Sequence, residues 1–160
     1  MFASRQEDET AWQEPADLPM KHYDIKKVTE LIYSTCAIDM IEMRLGDDGL
    51  KKLIPLMKES TVLHKLQLCG NFLTDASVPL LLEACAANKS IRDLRLQWNH
   101  ISYKGIKQIC SFITKDNGIQ SLELHGNTLI GAKGAYLLAN AILEAPTLTY
   151  LGLAGCDLKD

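Results

Sequence analysis

The sequence predicts an α/β solenoid, with a curved parallel sheet on its concave side and helices on its convex side. Three observations predict it. Four stretches share the pattern LxxLxLxxNxL: VLHKLQLCGNFL (62–73), IRDLRLQWNHI (91–101), GIQSLELHGNTL (118–129) and TLTYLGLAGCDL (147–158). Their first apolar residues, Leu63, Ile91, Ile119 and Leu148, are spaced 28, 28 and 29 residues apart. Within each stretch apolar and polar residues alternate, the period of a strand, and between stretches they recur at helical spacing. One strand and one helix cannot bury an apolar face alone, so successive copies must stack.

Taken in order, the chain begins with residues 1–22, an acidic stretch with two prolines that reads as a flexible tail. The repeat domain is expected over residues 23–160. YDIKKVTELIYS places Ile25, Val28, Leu31 and Ile32 at helical spacing, an opening helix that covers the first strand. Counting back one period from Leu63 exposes a decayed repeat, with Thr35, Ile38, Met40, Met43 and Leu45 at the template places. Met43 stands where the other repeats carry Asn. Its helix, DDGLKKLIPLMKES, is expected to bend or shorten at Pro55. TDASVPLLLEACAANKS follows, capped by Thr74 or Asp75, with Pro79 in the tolerated first turn. Val78, Leu81, Leu82 and Cys85 form its inward face. Ile106, Ile109, Cys110 and Ile113 do so in the next helix, and Ala135, Leu138, Ala139 and Ile142 in the last. Asn117-Gly118 and Ala145-Pro146 end those two helices. Leu148, Leu151, Leu153 and Leu158 are expected to lack cover on one side, leaving an unpaired strand edge. That edge suits a fragment of a longer solenoid or end-on self-association.

The asparagines have a structural role. A chain that turns sharply after each strand leaves buried backbone groups, and each unsatisfied one costs roughly 1–3 kcal/mol. An Asn side chain both donates and accepts. Asn71, Asn99 and Asn127 are expected to stack as an inner ladder, with Cys156 in the last place. This pattern, with its 28/29 spacing and long second half, resembles the ribonuclease-inhibitor-like class of leucine-rich repeats over residues 35 to 160. The resemblance implies a leucine-rich-repeat solenoid with a strand and a full helix in each repeat. It also implies a place for Cys156, since such repeats use Cys for Asn.

Composition excludes several other classes. The 160 residues are 47% hydrophobic and 23% charged, with net charge −3. Residues 1–22 hold five acids and two bases, which account for the whole excess, so the remainder is neutral. Nucleic-acid binding is not expected. No apolar run approaches the ~20 residues of a membrane span, so no membrane partner is expected. The start, MFASRQEDE, lacks an apolar signal core. Five cysteines without a CxxC motif read as free thiols in a cytoplasmic protein.

No phosphate loop, nucleophile elbow, HExxH or dinucleotide turn occurs, so no catalytic residue and no cofactor is expected. His64 and His125 fall on strands two repeats apart, roughly 10 Å, too far for one metal. Cys69 falls at the concave end of its strand with nothing in the pattern to activate it.

Surface remains. Between the inward leucines, residues point to the concave side in columns ~4.8 Å apart. One column reads Asp39, Gln67, Arg95, Glu123, Gly152, another Ala37, Lys65, Asp93, Ser121, Tyr150, and a third Ile41, Cys69, Gln97, His125, Ala154. Lys65 beside Asp93 and Arg95 beside Glu123 suggest ion pairs rather than acid–base catalysts. Trp98 precedes the ladder Asn where its counterparts are Gly70, Gly126 and Gly155, so it is expected at the rim, either as an anchor or lying flat on Tyr103 or His100. The partner-binding candidates are Lys65, Gln67, Asp93, Arg95, Gln97, Trp98, Glu123, His125 and Tyr150. The expected function is a non-catalytic protein-interaction module with a protein partner. The resemblance leaves two alternatives: a GTPase regulator or sensing segment of a larger receptor, and a structural subunit of a ciliary or cytoskeletal assembly.

Overall fold

A computed structural model describes residues 25–115 and 117–159. The tail expected at 1–22 lies outside the described residues. The elements alternate: α1 (Ile25–Ser34), β1 (Ala37–Asp39), α2 (Gly46–Glu59), β2 (Lys65–Gln67), α3 (Ser77–Ala87), β3 (Asp93–Arg95), α4 (Tyr103–Ile113), β4 (Ser121–Glu123), α5 (Gly131–Ile142) and β5 (Tyr150–Gly152). The strands form one parallel sheet in sequence order. Leu66, Leu94, Leu122 and Leu151 pair in register, so the 28/29 spacing is conserved as strict strand alignment.

Each strand is only three residues long because one inward leucine per strand suffices for the core. Leu63, Leu66, Leu68 and Leu73 are nearly inaccessible, as are Ile91, Leu94, Leu96 and Ile101 one repeat later. Burying each such side chain contributes roughly 1.5–3 kcal/mol. The helices close the other side with Leu53, Met57, Val78, Leu81, Ile106 and Ile109. Thr35, Ile38, Met40 and Leu45 hold the first repeat in the same frame, with Met43 packed at the edge of the core.

Four details differ from the sequence reading. Leu31 is exposed, because Val28 and Ile32 already fill the contact between α1 and the first repeat. Helix α2 runs through Pro55 to Glu59 and is not shortened. Neither Thr74 nor Asp75 is the N-cap of α3; Ala76 is, and Asp75 points to the next helix instead. In α5 the buried face is Gly134, Leu138 and Ala141, while Ala139 and Ile142 are exposed. That face is one period beyond Ile106, Cys110 and Ile113 of α4, so stacking on α4 sets it rather than local apolarity. Helices α4 and α5 end at Ile113 and Ile142, a few residues before their Asn-Gly and Ala-Pro breaks. Leu158 is exposed and Leu148, Leu151 and Leu153 are half-buried. Among the described residues no helix is long and apolar enough to cross a membrane.

Candidate protein-interaction face

The face is set by what lies beneath it. Asn71, Asn99 and Asn127 are buried in a column inside the turns that follow β2, β3 and β4. The Asn99 amide donates to Leu68 O and Leu96 O at 2.9 and 3.0 Å, and its carbonyl accepts from Asn71 N and Leu73 N, both at 3.0 Å. Asn127 donates to Leu96 O and Leu124 O and accepts from Ile101 N. Each Asn thus serves its own turn and the preceding one. That solves the missing Asn at Met43: Asn71 donates to Met40 O at 2.6 Å and accepts from Leu45 N. Cys156 donates its thiol proton to Leu124 O at 3.1 Å.

Two further ladders were not legible in the motif. Asp47 accepts from Thr74 N, from the Thr74 hydroxyl and from the Ser77 hydroxyl. One period later, Asp75 accepts from Ser102 N, the Ser102 hydroxyl and Gly105 N. Each carboxylate therefore caps the helix of the following repeat, where free N–H groups favour an anion. The next place is Tyr103, and there Lys133 sits over the ring at 5.2 Å instead. At the opposite edge, buried Ser60 donates to Ile32 O and buried Asn88 donates to Met57 O and Ser60 O. A repeat-wide search for Asp, Ser or Asn at 28-residue spacing outside the strand motif is the signal that finds them.

On this frame the concave side chains stand in the expected columns. Lys65 Nζ lies 3.6 Å from Asp93, whose carboxylate also meets Arg95 Nε at 3.2 Å. Arg95 reaches Glu123 at 3.6 Å, and Gln97 donates to the same carboxylate. His125 Nε2 faces Glu123 at 3.5 Å, while its Nδ1 accepts from Ala154 N at 3.0 Å. The neutral ring therefore carries its proton on Nε2. Cys69 donates to Gln97 Oε1 at 2.8 Å, and burial pushes its thiol pKa up, so it is not an activated nucleophile. Gln67 pairs in register with Arg95, and Tyr150 is half exposed at the end of its column. The charges of Lys65, Asp93, Arg95 and Glu123 are satisfied within the face, and each exposed ion pair is worth at most ~1 kcal/mol. Among the described residues no group of three His, Cys, Asp or Glu could hold a metal ion.

Trp98 is the exception to this self-sufficiency. It is 68% exposed and its φ is +55°. The same position in the other repeats is Glu42 at +54°, Gly70 at +65°, Gly126 at +73° and Gly155 at +70°. The left-handed conformation costs a residue with a β-carbon roughly 1–2 kcal/mol. The indole lies across Gly126, where any β-carbon would collide with it. It therefore rests on neither Tyr103 nor His100; His100 stacks on Phe72 with centroids 5.8 Å apart. His125 lies across Gly152 in the same manner.

The comparisons agree with this architecture. A family model described as Leucine Rich repeat matches residues 87–110. The chain is 32% identical to the mouse NACHT, LRR and PYD domains-containing protein 14 over 84% of its own length and 13% of that protein's. It is 33% identical to chicken leucine-rich repeat-containing protein 45 over 66% of its own length and 17% of that protein's. It is 29% identical to the Dictyostelium discoideum Rho GTPase-activating protein gacW over 77% of its own length and 12% of that protein's. The chain thus spans a small part of these curated relatives. Among solved structures, leiomodin-1 actin-binding site 2 superposes with a TM-score of 0.71 at 23% identity, over 81% of this chain and 76% of that one. The Caenorhabditis elegans tropomodulin C-terminal domain gives 0.69 at 16% identity, over 82% and 83%. The chain is similar to leucine-rich repeat proteins, and its fold is an α/β leucine-rich-repeat solenoid.

Proposed function

We propose that the chain is a non-catalytic interaction module that takes a protein partner on its concave face, with Trp98 as the central anchor. One observation carries the reading: a large aromatic side chain is held exposed, in a left-handed conformation, where three other repeats carry glycine. Local strain kept at a surface position points to use. Arg95 and Gln97 precede it in the sequence on the same strand and its exit, and Trp with Arg is the composition of binding hot spots. The extended curved face of a solenoid suits a protein surface. The charge balance argues against nucleic acid, and free thiols fit a reducing, cytoplasmic setting.

Two partner classes come from the relatives. The gacW relative is named a Rho GTPase-activating protein, and the leiomodin-1 segment is named an actin-binding site. The test is therefore a binding measurement of the purified chain against actin and a panel of small GTPases. GTP hydrolysis is followed in parallel, and the Trp98→Gly variant is measured beside the parent. The proposal expects a bound partner whose affinity falls about 30-fold or more in the variant, as for a hot-spot residue, with hydrolysis unchanged. Unchanged affinity for a partner that does bind refutes the anchor, and stimulated hydrolysis would make the chain a GTPase regulator.

A further inference from the structure

The strand-exit column holds a second departure from glycine. Glu42 occupies the place of Gly70, Trp98, Gly126 and Gly155, also with a left-handed backbone. Both non-glycine side chains behave alike. Glu42 lies over Gly70, its Cγ 3.0 Å from where a β-carbon would sit, and Trp98 lies over Gly126. Both are exposed. Among the described residues nothing pairs with the Glu42 carboxylate, and Arg44, two residues on, forms no ion pair with it. Every other charge singled out on the concave face except Asp39 has a partner of opposite sign. Among the described residues the rim therefore presents an unpaired carboxylate at Glu42 and an aromatic plate at Trp98, two repeats apart.

We infer that the partner's contact segment is an extended, polyproline-II-type peptide with a Lys or Arg three residues from an apolar side chain. This rests on the concave-face reading above. The cation meets Glu42 and the apolar group packs on the indole. Two strand spacings separate the anchors by about 10 Å, and because both side chains lean toward the following repeat, the separation is kept at their tips. A polyproline-II helix brings residues i and i+3 to the same side with a rise of about 9 Å, which matches. A fully extended strand does not, since its same-side residues are about 7 or 13 Å apart. Aromatic plates are a recurrent seat for such peptides.

The probes are short blocked peptides: Arg-Pro-Pro-Leu and its reverse, analogues with one or three intervening prolines, and Glu-Pro-Pro-Leu. Each is titrated by NMR into isotope-labelled protein, following the Trp98 indole and the Gly70 and Gly126 amides. The variants are Glu42→Gly and Trp98→Gly, each introducing the residue that other repeats carry. The two-proline spacing should bind about fivefold more tightly than either neighbour, and Glu42→Gly should remove about that factor for the Arg peptide. Trp98→Gly should abolish the shifts. Equal binding at all spacings, equal binding of the Glu peptide, or indifference to Glu42→Gly overturns the inference. If a whole protein partner needs Trp98 but ignores Glu42, this inference fails and the concave-face reading stands. If it needs neither, both fail.

Discussion

Replacing Trp98 by glycine and by alanine in parallel separates backbone strain from side-chain contact. Both substitutions remove the indole, which rests on Gly126, from a residue that is 32% covered. Taking a Trp to expose and bury up to ~250 Å², that cover is about 80 Å², worth about 2 kcal/mol at ~25 cal/mol per Å². Both variants lose this amount. They differ in the backbone. At φ +55° alanine keeps the roughly 1–2 kcal/mol left-handed cost, whereas glycine does not. Glycine gives back about 0.5–1 kcal/mol through the greater freedom of its unfolded chain. The expected order is parent, then Trp98→Gly within about 1–2 kcal/mol of it, then Trp98→Ala about 0.5–1 kcal/mol lower still. Equilibrium urea unfolding with a common slope reads this difference as a shift in midpoint. An alanine variant as stable as the glycine variant, or more stable, would refute the left-handed backbone at 98 and with it the argument that strain is retained there for use.

Three more outcomes follow from the ladders and the thiols. Asn99→Ala strips partners from buried Leu68 O, Leu96 O, Asn71 N and Leu73 N and should cost about 3–4 kcal/mol, read by denaturation; a cost under ~1 kcal/mol would mean water replaces the amide. Asp75→Asn turns an acceptor of three hydrogen bonds into a group that also presents donors, so it should destabilise by about 1–2 kcal/mol and raise hydrogen exchange first in α4, not in α3. Burial pushes the Cys85 thiol up to about 12 and that of Cys110 to about 11 from 9.0. In the folded state both should resist maleimide while exposed Cys36 reacts, and denaturation should release all five thiols. A folded pKa above the unfolded one stabilises fully below pH 9 and loses that contribution as the pH rises toward 12. Cys85→Ala should therefore flatten the alkaline decline in stability.

The fold was legible because the strand motif records a backbone need. Leu94, Leu96 and Asn99 mark inward and turn positions whose chemistry is fixed, so their spacing carried the register directly. The face of α5 was not legible in the same way. Ala135, Leu138, Ala139, Ile142 and Leu143 are apolar all round the helix, and only contact with α4 selects Gly134, Leu138 and Ala141. The caps at Asp47 and Asp75 were missed because each serves a helix one repeat away, while a cap is sought beside its own helix. Of the candidate face, the columns could be read from strand alternation. The glycines at 70, 126 and 155 signalled that Trp98 was unusual. Where its ring rests depends on the absence of a side chain at Gly126, which matters only once the repeats are stacked.

The hydrogen-bonded ladders run in opposite directions: the asparagine amides reach back one repeat, and the Asp47 and Asp75 carboxylates reach forward one. No cut between turns leaves every group on both sides satisfied, so the solenoid has a period but no natural joints. A unit of inheritance or of engineering is then any window one period long, wherever it starts. Duplicating residues 72–99 in place would extend both ladders by one rung, provided the second copy carries glycine at the place of Trp98, where the first indole needs the room; the chain would then lengthen as a crystal grows, by repeating an offset and not by adding a module.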